Sequence, residues 1–305
     1  MGTCVKALRT GITMLLILPA WSLQAGTIAV DCGKKSLATE IGKLDKNLIN
    51  TVNVTGNCVG DVLISQHANL TIAGSGGARV TAGSSDGTAI KVDGSRLTFQ
   101  NLLVNGGANG NGIACENRSV CVLRDVGVTG ALTGISAQNQ SAIDIIGASY
   151  VQGSLAPFGI GVGVFGASSV NIRPTWPNGF DPQEPGASIT QNVTGIVVQD
   201  GSYLRTDNVL ISGNGDGVLA HRNATAKILG SPGGVVNNAG SGVSVIYGAV
   251  GQIAAPVSGN GAVGVSVGPL SYVRTQGGPG SVSGNGVDIE CWHSSAFVNG
   301  NYSCP

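Results

Sequence analysis

The residues with the most evident chemical use in this chain gather at one segment, PTWPNGFDPQEPG at 174–186, and at the charges near it. Trp176 and Phe180 offer aromatic faces of the kind that stack on sugar rings, and Asp181 and Glu184 offer carboxylates that accept hydrogen bonds from hydroxyl groups. Arg173 comes just before the segment, and Arg205, Asp207 and Lys227 follow it. Together these side chains form a candidate polysaccharide-binding set. The competing use of Trp176 is to fold back on the body of the protein as local packing. Pro174, Pro177, Pro182 and Pro185 make the segment a stiff projecting loop.

Other apparent motifs do not hold up physically. Gly264-Val265-Ser266-Val267-Gly268 fits a nucleophile elbow, but that motif needs a strand-to-helix turn, and Ser266 sits inside a strand-like run. Gly161 to Gly166 fits a dinucleotide fingerprint with no helix start to receive a pyrophosphate. GNGDGVLAH from Gly213 is similar to a calcium-binding nonapeptide, yet it lacks the consecutive copies that build a ligand cage. His67, His221 and His293 are scattered and no CxxC is present, so zinc spacing is missing. No metal and no cofactor is expected.

Composition narrows the partners. Glycine contributes 50 of 305 residues, charged residues only 10%, and 16 basic groups balance 16 acidic ones. Such a chain has no field to steer polyanions, so nucleic acid and anionic membranes are excluded as expected partners. Lys6 and Arg9 followed by the apolar run GITMLLILPA and the small residue Ala25 read as a signal peptide over 1–25. Its removal leaves 14 basic against 16 acidic groups, formally −2. The six remaining cysteines form three sequence-local pairs, Cys32 with Cys58, Cys115 with Cys121, and Cys291 with Cys304, which predicts disulfides and a periplasmic or extracellular location. No membrane insertion is expected after cleavage, and the expected state is a monomer.

A repeat positions these groups. Ile90, Ile113, Ile135, Val162, Ile196, Val218, Val243, Val265 and Val287 follow one another mostly 22 to 25 residues apart, with two longer coils of 27 and 34. Each period holds short alternating β-branched runs broken by polar residues, as in IVVQDGSYLRTDNVLISGNGDG at 196–217, which predicts three strands per turn of chain. Strands so short cannot bury an apolar face alone, so successive coils must stack in parallel. The fold predicted is all-β, a right-handed parallel β-helix of about ten to eleven coils over 61–290, with the 174–186 loop inserted. Corners such as SGNGDG (212–217), SGNGAVG (258–264) and SGNG (283–286) place Asn and Gly where left-handed backbone is needed, and stacked Asn side chains could bond along the axis.

With this repeat the chain resembles the pectate-lyase-like superfamily, more narrowly the exported bacterial proteins with right-handed β-helix repeats. The resemblance runs from about residue 27 to the end and rests on the repeat pattern, with no catalytic signature. Both ends need closing, because a terminal coil is an open sheet edge. The N-terminal cap, 26–60, includes an amphipathic helix predicted at 36–47, with Ser36 as N-cap and Leu37, Ile41, Leu44 and Leu48 on one face. The C-terminal cap, 291–305, would use Trp292, Phe297 and Tyr302 as a hydrophobic plug.

Aligned on the repeat, even offsets point inward, which places Cys115 and Cys121 inside one coil. The most polar outward row reads Asp144, Asn171, Arg205, Lys227, Gln252 and Arg274, with Arg124, Arg173 and Asp207 beside it. A thinner outward row on another strand carries Asp93, Glu116, Gln138, Phe165, Gln199, His221 and Ile246.

Three functions follow in order: a secreted or envelope protein that binds an extracellular polysaccharide without catalysis; a polysaccharide lyase or glycoside hydrolase, as the resemblance implies; and a structural or adhesive surface protein. A lyase would need stacked carboxylates holding calcium and a Lys or Arg base, a hydrolase a carboxylate pair. No adjacent Asp pair is present, and the acids near Arg205 and Lys227 are few.

Overall fold

The computed structural model describes residues 26–154, 157–175, 186–230, 233–276, 281–299 and 304. Short β-branched runs separated by two-residue breaks leave each strand only one way to bury its apolar side, which is against the same strand of the next coil. The chain accordingly winds into a parallel β-solenoid of about 11 turns. Sheet A has twelve strands, from Gly26–Asp31 to Phe297–Asn299; sheets B and C have ten each, from Asn57–Val59 to Val282–Ser283 and from Val62–Ser65 to Val287–Cys291. One coil passes through C, A and B in turn, as in Thr194–Val198, Tyr203–Asp207 and Leu210–Ser212, before re-entering sheet C at Asp216–His221.

The inward positions form one continuous apolar core. Ile113, Ile135, Val162, Ile196, Val218, Val243 and Val265 are partners in register and are essentially inaccessible to solvent. Cys115 and Cys121 are buried and bonded across the corner between sheets C and A. The last repeat anchor departs from expectation: Val265 pairs with Ile289, while Val287 pairs with Val263 and is exposed. A shift of two residues keeps the same face inward, so the apolar pattern alone could not separate the two registers.

Polar ladders brace the corners from within. Where sheet B turns into sheet C, the Nδ2 groups of Asn192, Asn214, Asn238 and Asn260 each donate to the Oδ1 of the next coil's Asn, ending on Asn285, at 2.8–3.0 Å. Each of the four Oδ1 atoms from Asn214 onward also accepts from the backbone N–H of the preceding Asn, at 3.0–3.1 Å. The Asn ladder expected from the corner sequences is therefore real. Its asparagines are not the left-handed residues, however: Gly213, Gly259 and Gly284 take that conformation, which frees the following Asn side chain to turn inward. Gly217, just after the ladder, has no room for a Cβ, which would collide with the Gly242 carbonyl and Val235.

At the corner between sheets C and A, the hydroxyls of Ser95, Ser119, Ser141, Ser168 and Ser202 accept in the same way from the backbone N–H one coil earlier, beginning at His67.

Both caps differ in detail from expectation. The helix spans Leu37–Gly42 only, with the Ser36 hydroxyl accepting from the Thr39 N–H and Leu37 and Ile41 buried. Gly42 weakens the next turn, and the Asp45 carboxylate accepts from the Asn47 N–H at 2.9 Å, so the chain leaves the helix before Leu44 and Leu48, which are only partly buried. The helix stands in the first coil where strands of sheets B and C would otherwise run, packs on Val62–Ser65, and is tied down by Cys32–Cys58.

At the other end Cys291 bonds to Cys304, but Trp292 and Phe297 are 55% and 57% exposed and do not form a plug. Phe297 occupies an outward position paired with Tyr272, on whose ring it stacks at 5.4 Å, while Ala296 and Val298 take the inward places. Tyr302 lies outside the described residues.

Candidate functional site

The outward face of sheet A collects the charges singled out in the sequence. Alternation along each strand sends every second side chain outward, and the parallel register lays these in columns about 4.8 Å apart per coil. One column reads Val122, Asp144, Asn171, Arg205, Lys227, Gln252, Arg274 and Asn299, partner by partner. The column beside it holds Arg124, Ile146 and Arg173 in register, with Asp207 paired to Leu229 further along. The third holds Arg96, Val120, Ala142, Ser169, Tyr203, Thr225, Val250, Tyr272 and Phe297.

Four of the expected site residues, Arg173, Arg205, Asp207 and Lys227, are thus brought together on three successive strands of one face. Trp176, Phe180, Asp181 and Glu184 lie outside the described residues. The insertion that carries them leaves from Arg173, the last residue of a sheet A strand, and rejoins at Ser188, the first of a sheet B strand, so its base borders the charged columns.

Contacts within the face are uneven. Arg173 grips Asp144 with two bonds, Nη2 to Oδ2 at 2.7 Å and Nε to Oδ1 at 3.2 Å, and Asn171 Nδ2 donates to the same Oδ1 at 3.1 Å. Arg205 reaches Asp207 more loosely, at 3.5 Å. Lys227 sits 5.8 Å above the centre of the Tyr203 ring, a cation–π distance. Among the described residues, Lys227, Arg124, Arg96 and Arg274 have no carboxylate within ion-pair range. Among the described residues of the sheet A strands from Arg96 to Arg274, six cations therefore face two carboxylates, Asp144 and Asp207, on a chain whose total formal charge is zero.

Sequence reasoning placed Asn171 on this face but missed Tyr203 and two recesses. Tyr203 and Asn171 act together with a recess of about 380 Å³ formed where the outward residues of three coils are small, including Val120, Val122, Ala142 and Ser169. A second recess, of about 510 Å³, lies on the neighbouring outer corner among Asn117, Arg118, Asn139, Gln140 and Gly166. The run of small side chains between Arg96 and Tyr203 was the available signal, visible only once the irregular coils of 27 and 34 are put in register.

The remaining motifs fall where the repeat put them. Ser266 is buried inside the strand Val263–Val267, and Gly161 to Val164 lie inside the strand Ile160–Val164. Asp216 accepts from the Ser241 N–H at 2.8 Å. Among the described residues no three His, Cys, Asp or Glu side chains cluster as a metal site.

No protein-family model and no curated protein matches the chain. Among solved structures it is similar to an alginate lyase from Paenibacillus sp. str. FPU-7, at 13% identity over 90% of this chain and 99% of that one, with a TM-score of 0.46. It is also similar to the catalytic domain of a GH87 α-1,3-glucanase in complex with nigerose, at 12% identity over 91% and 68%, with a TM-score of 0.28.

Proposed function

We propose that this is an exported protein that holds an acidic polysaccharide along the outer face of sheet A without transforming it. The carrying observation is the excess of cations among the described residues of that face from Arg96 to Arg274, with Arg96, Arg124, Arg173, Arg205, Lys227 and Arg274 against Asp144 and Asp207. Cations spread over three adjacent columns of one flat face, with Arg205 and Lys227 one coil apart, suit a linear polyanion lying along the axis. The 174–186 insertion leaves the chain just after Arg173 on that face, and its Trp176, Phe180, Asp181 and Glu184 would add stacking and hydroxyl contacts. Export is supported by the three disulfides, which persist in oxidising compartments, and by the N-terminal 1–25 segment.

Binding is favoured over turnover because both carboxylates on the face are already engaged, Asp144 by Arg173 and Asn171, and Asp207 by Arg205. A hydrolase would need a carboxylate pair free to exchange protons, and a lyase stacked carboxylates for calcium, neither of which gathers among the described residues of this face.

The test is incubation of the mature protein with immobilised polygalacturonate, alginate and hyaluronate and with neutral dextran, with calcium or chelator. Retention on the acidic polymers that weakens with salt, without new reducing ends or unsaturated uronate absorbance, is the expected result. Product formation would replace binding by catalysis, and equal retention on dextran would remove the role of the cations.

A further inference from the structure

The geometry points to a single-ring sugar subsite in the recess N-terminal to Tyr203, with Tyr203 as its stacking wall and Ser169 as the residue that keeps it open. This rests on the polysaccharide reading above and adds which atoms hold one unit of the polymer.

The Tyr203 ring has two faces along the solenoid axis. Lys227, one coil toward the C-terminus, sits over the ring at 5.8 Å. The other side looks toward the coils of Ser169 and Ala142, where the recess of about 380 Å³ opens, within the ~300–1,000 Å³ range of small-ligand clefts. Val120, Val122 and Ala142 are among its lining residues, apolar and small, suited to the C–H face of a pyranose. The recess exists because Ser169 stands between Ala142 and Tyr203 in the outward column, where a larger side chain would fill it.

A second observation is an unpaired acceptor on a residue that lines the recess. Asn171 lines it, and its amide is oriented by Nδ2 donating to Asp144 at 3.1 Å. The Oδ1 of the same amide is shielded from solvent and has no hydrogen-bond partner. A shielded unpaired acceptor costs free energy, and a small turn of the Asn171 side chain into the recess would let a sugar hydroxyl recover it. The Ser169 hydroxyl offers a second contact, and Arg205, next to Asn171 in its column, stands where a uronate carboxylate of the same unit would emerge.

The experiment compares the parent protein with Tyr203→Ala, Tyr203→Phe, Ser169→Tyr and Arg205→Ala for retention on the same polygalacturonate, alginate and hyaluronate supports. Melting midpoints are followed alongside, so that loss of fold is separated from loss of binding. Tyr203→Ala and Ser169→Tyr are expected to weaken retention by about five- to tenfold, the worth of one aromatic contact, with parental melting. Tyr203→Phe should recover most of what Tyr203→Ala loses. Parental retention in both Tyr203→Ala and Ser169→Tyr, with weakened retention in Arg205→Ala, would overturn the subsite and leave the polysaccharide reading standing. Failure of the parent to bind any of the three polymers would overturn both.

Discussion

The Asn ladder inside the corner between sheets B and C and the charged column outside sheet A are built by the same device, polar residues repeated once per coil, and end in opposite states. Inside, Asn238 accepts from both the backbone N–H and the Nδ2 of Asn214 and donates to Asn260 and to the Ile211 carbonyl, so its amide oxygen and amide nitrogen are both engaged. Outside, Arg205 holds its partner at 3.5 Å, Lys227 meets only an aromatic ring, and an Asn171 oxygen is left unpaired. Burial explains the contrast. A dry polar group without a partner is costly, so the inner ladder is saturated, whereas water reaches the charged heads of the outer column and leaves them available to a ligand; the shielded Asn171 oxygen is the exception on that face.

The sharpest way to break this comparison is to remove one rung of each. Asn238→Ala strips partners from Asn214, Asn260 and Ile211 at once and should cost about 3 kcal/mol or more, read as a lowered urea midpoint. An unchanged midpoint would mean the ladder is incidental.

Cys58→Ser tests whether the N-terminal cap matters as much as the ladder: opening a 26-residue loop should cost about 3 kcal/mol by the loop-entropy argument. Equal melting of mutant and parent would deny the disulfide a role in holding the cap.

Asp144→Asn removes the charge from the best-paired rung of the outer column. Because both partners are partly exposed, it should shift stability by no more than about 1 kcal/mol. It should also strengthen retention on an acidic polymer by freeing Arg173, and weaker retention would show that Asp144 itself holds the glycan.

The smallest effect is a pH slope. Burial holds the imidazoles of His67 and His221 below the ordinary value of 6.5, helped by Lys46 beside the first and Arg222 beside the second. The unfolded chain then binds more protons than the folded one as pH falls through 6.5, so stability drops there and is level above it until other groups titrate. His67→Gln should flatten the slope; an identical slope would assign it elsewhere.

Much of the outer column was readable in advance, because Asp144, Asn171, Arg205, Lys227, Gln252 and Arg274 follow from counting even and odd offsets in a repeat. Tyr203 was not, although it is two residues from Arg205. Its role depends on Ser169 and Ala142 being small in the two preceding coils, and the coil between Val162 and Ile196 is the longest of all. The serine ladder was equally hidden, since its spacing follows the same uneven coils.

The sequence by itself determined the solenoid, the three cysteine pairings and which side chains face outward, because strand alternation and a near-constant period are local properties that stacking can only repeat. Tertiary structure alone decided that Arg173 turns to Asp144, that the last coil pairs through Ile289, and that Trp292 and Phe297 stay in solvent. Those outcomes hang on which atoms of neighbouring coils compete for the same space, and the period of a sequence carries no record of that competition.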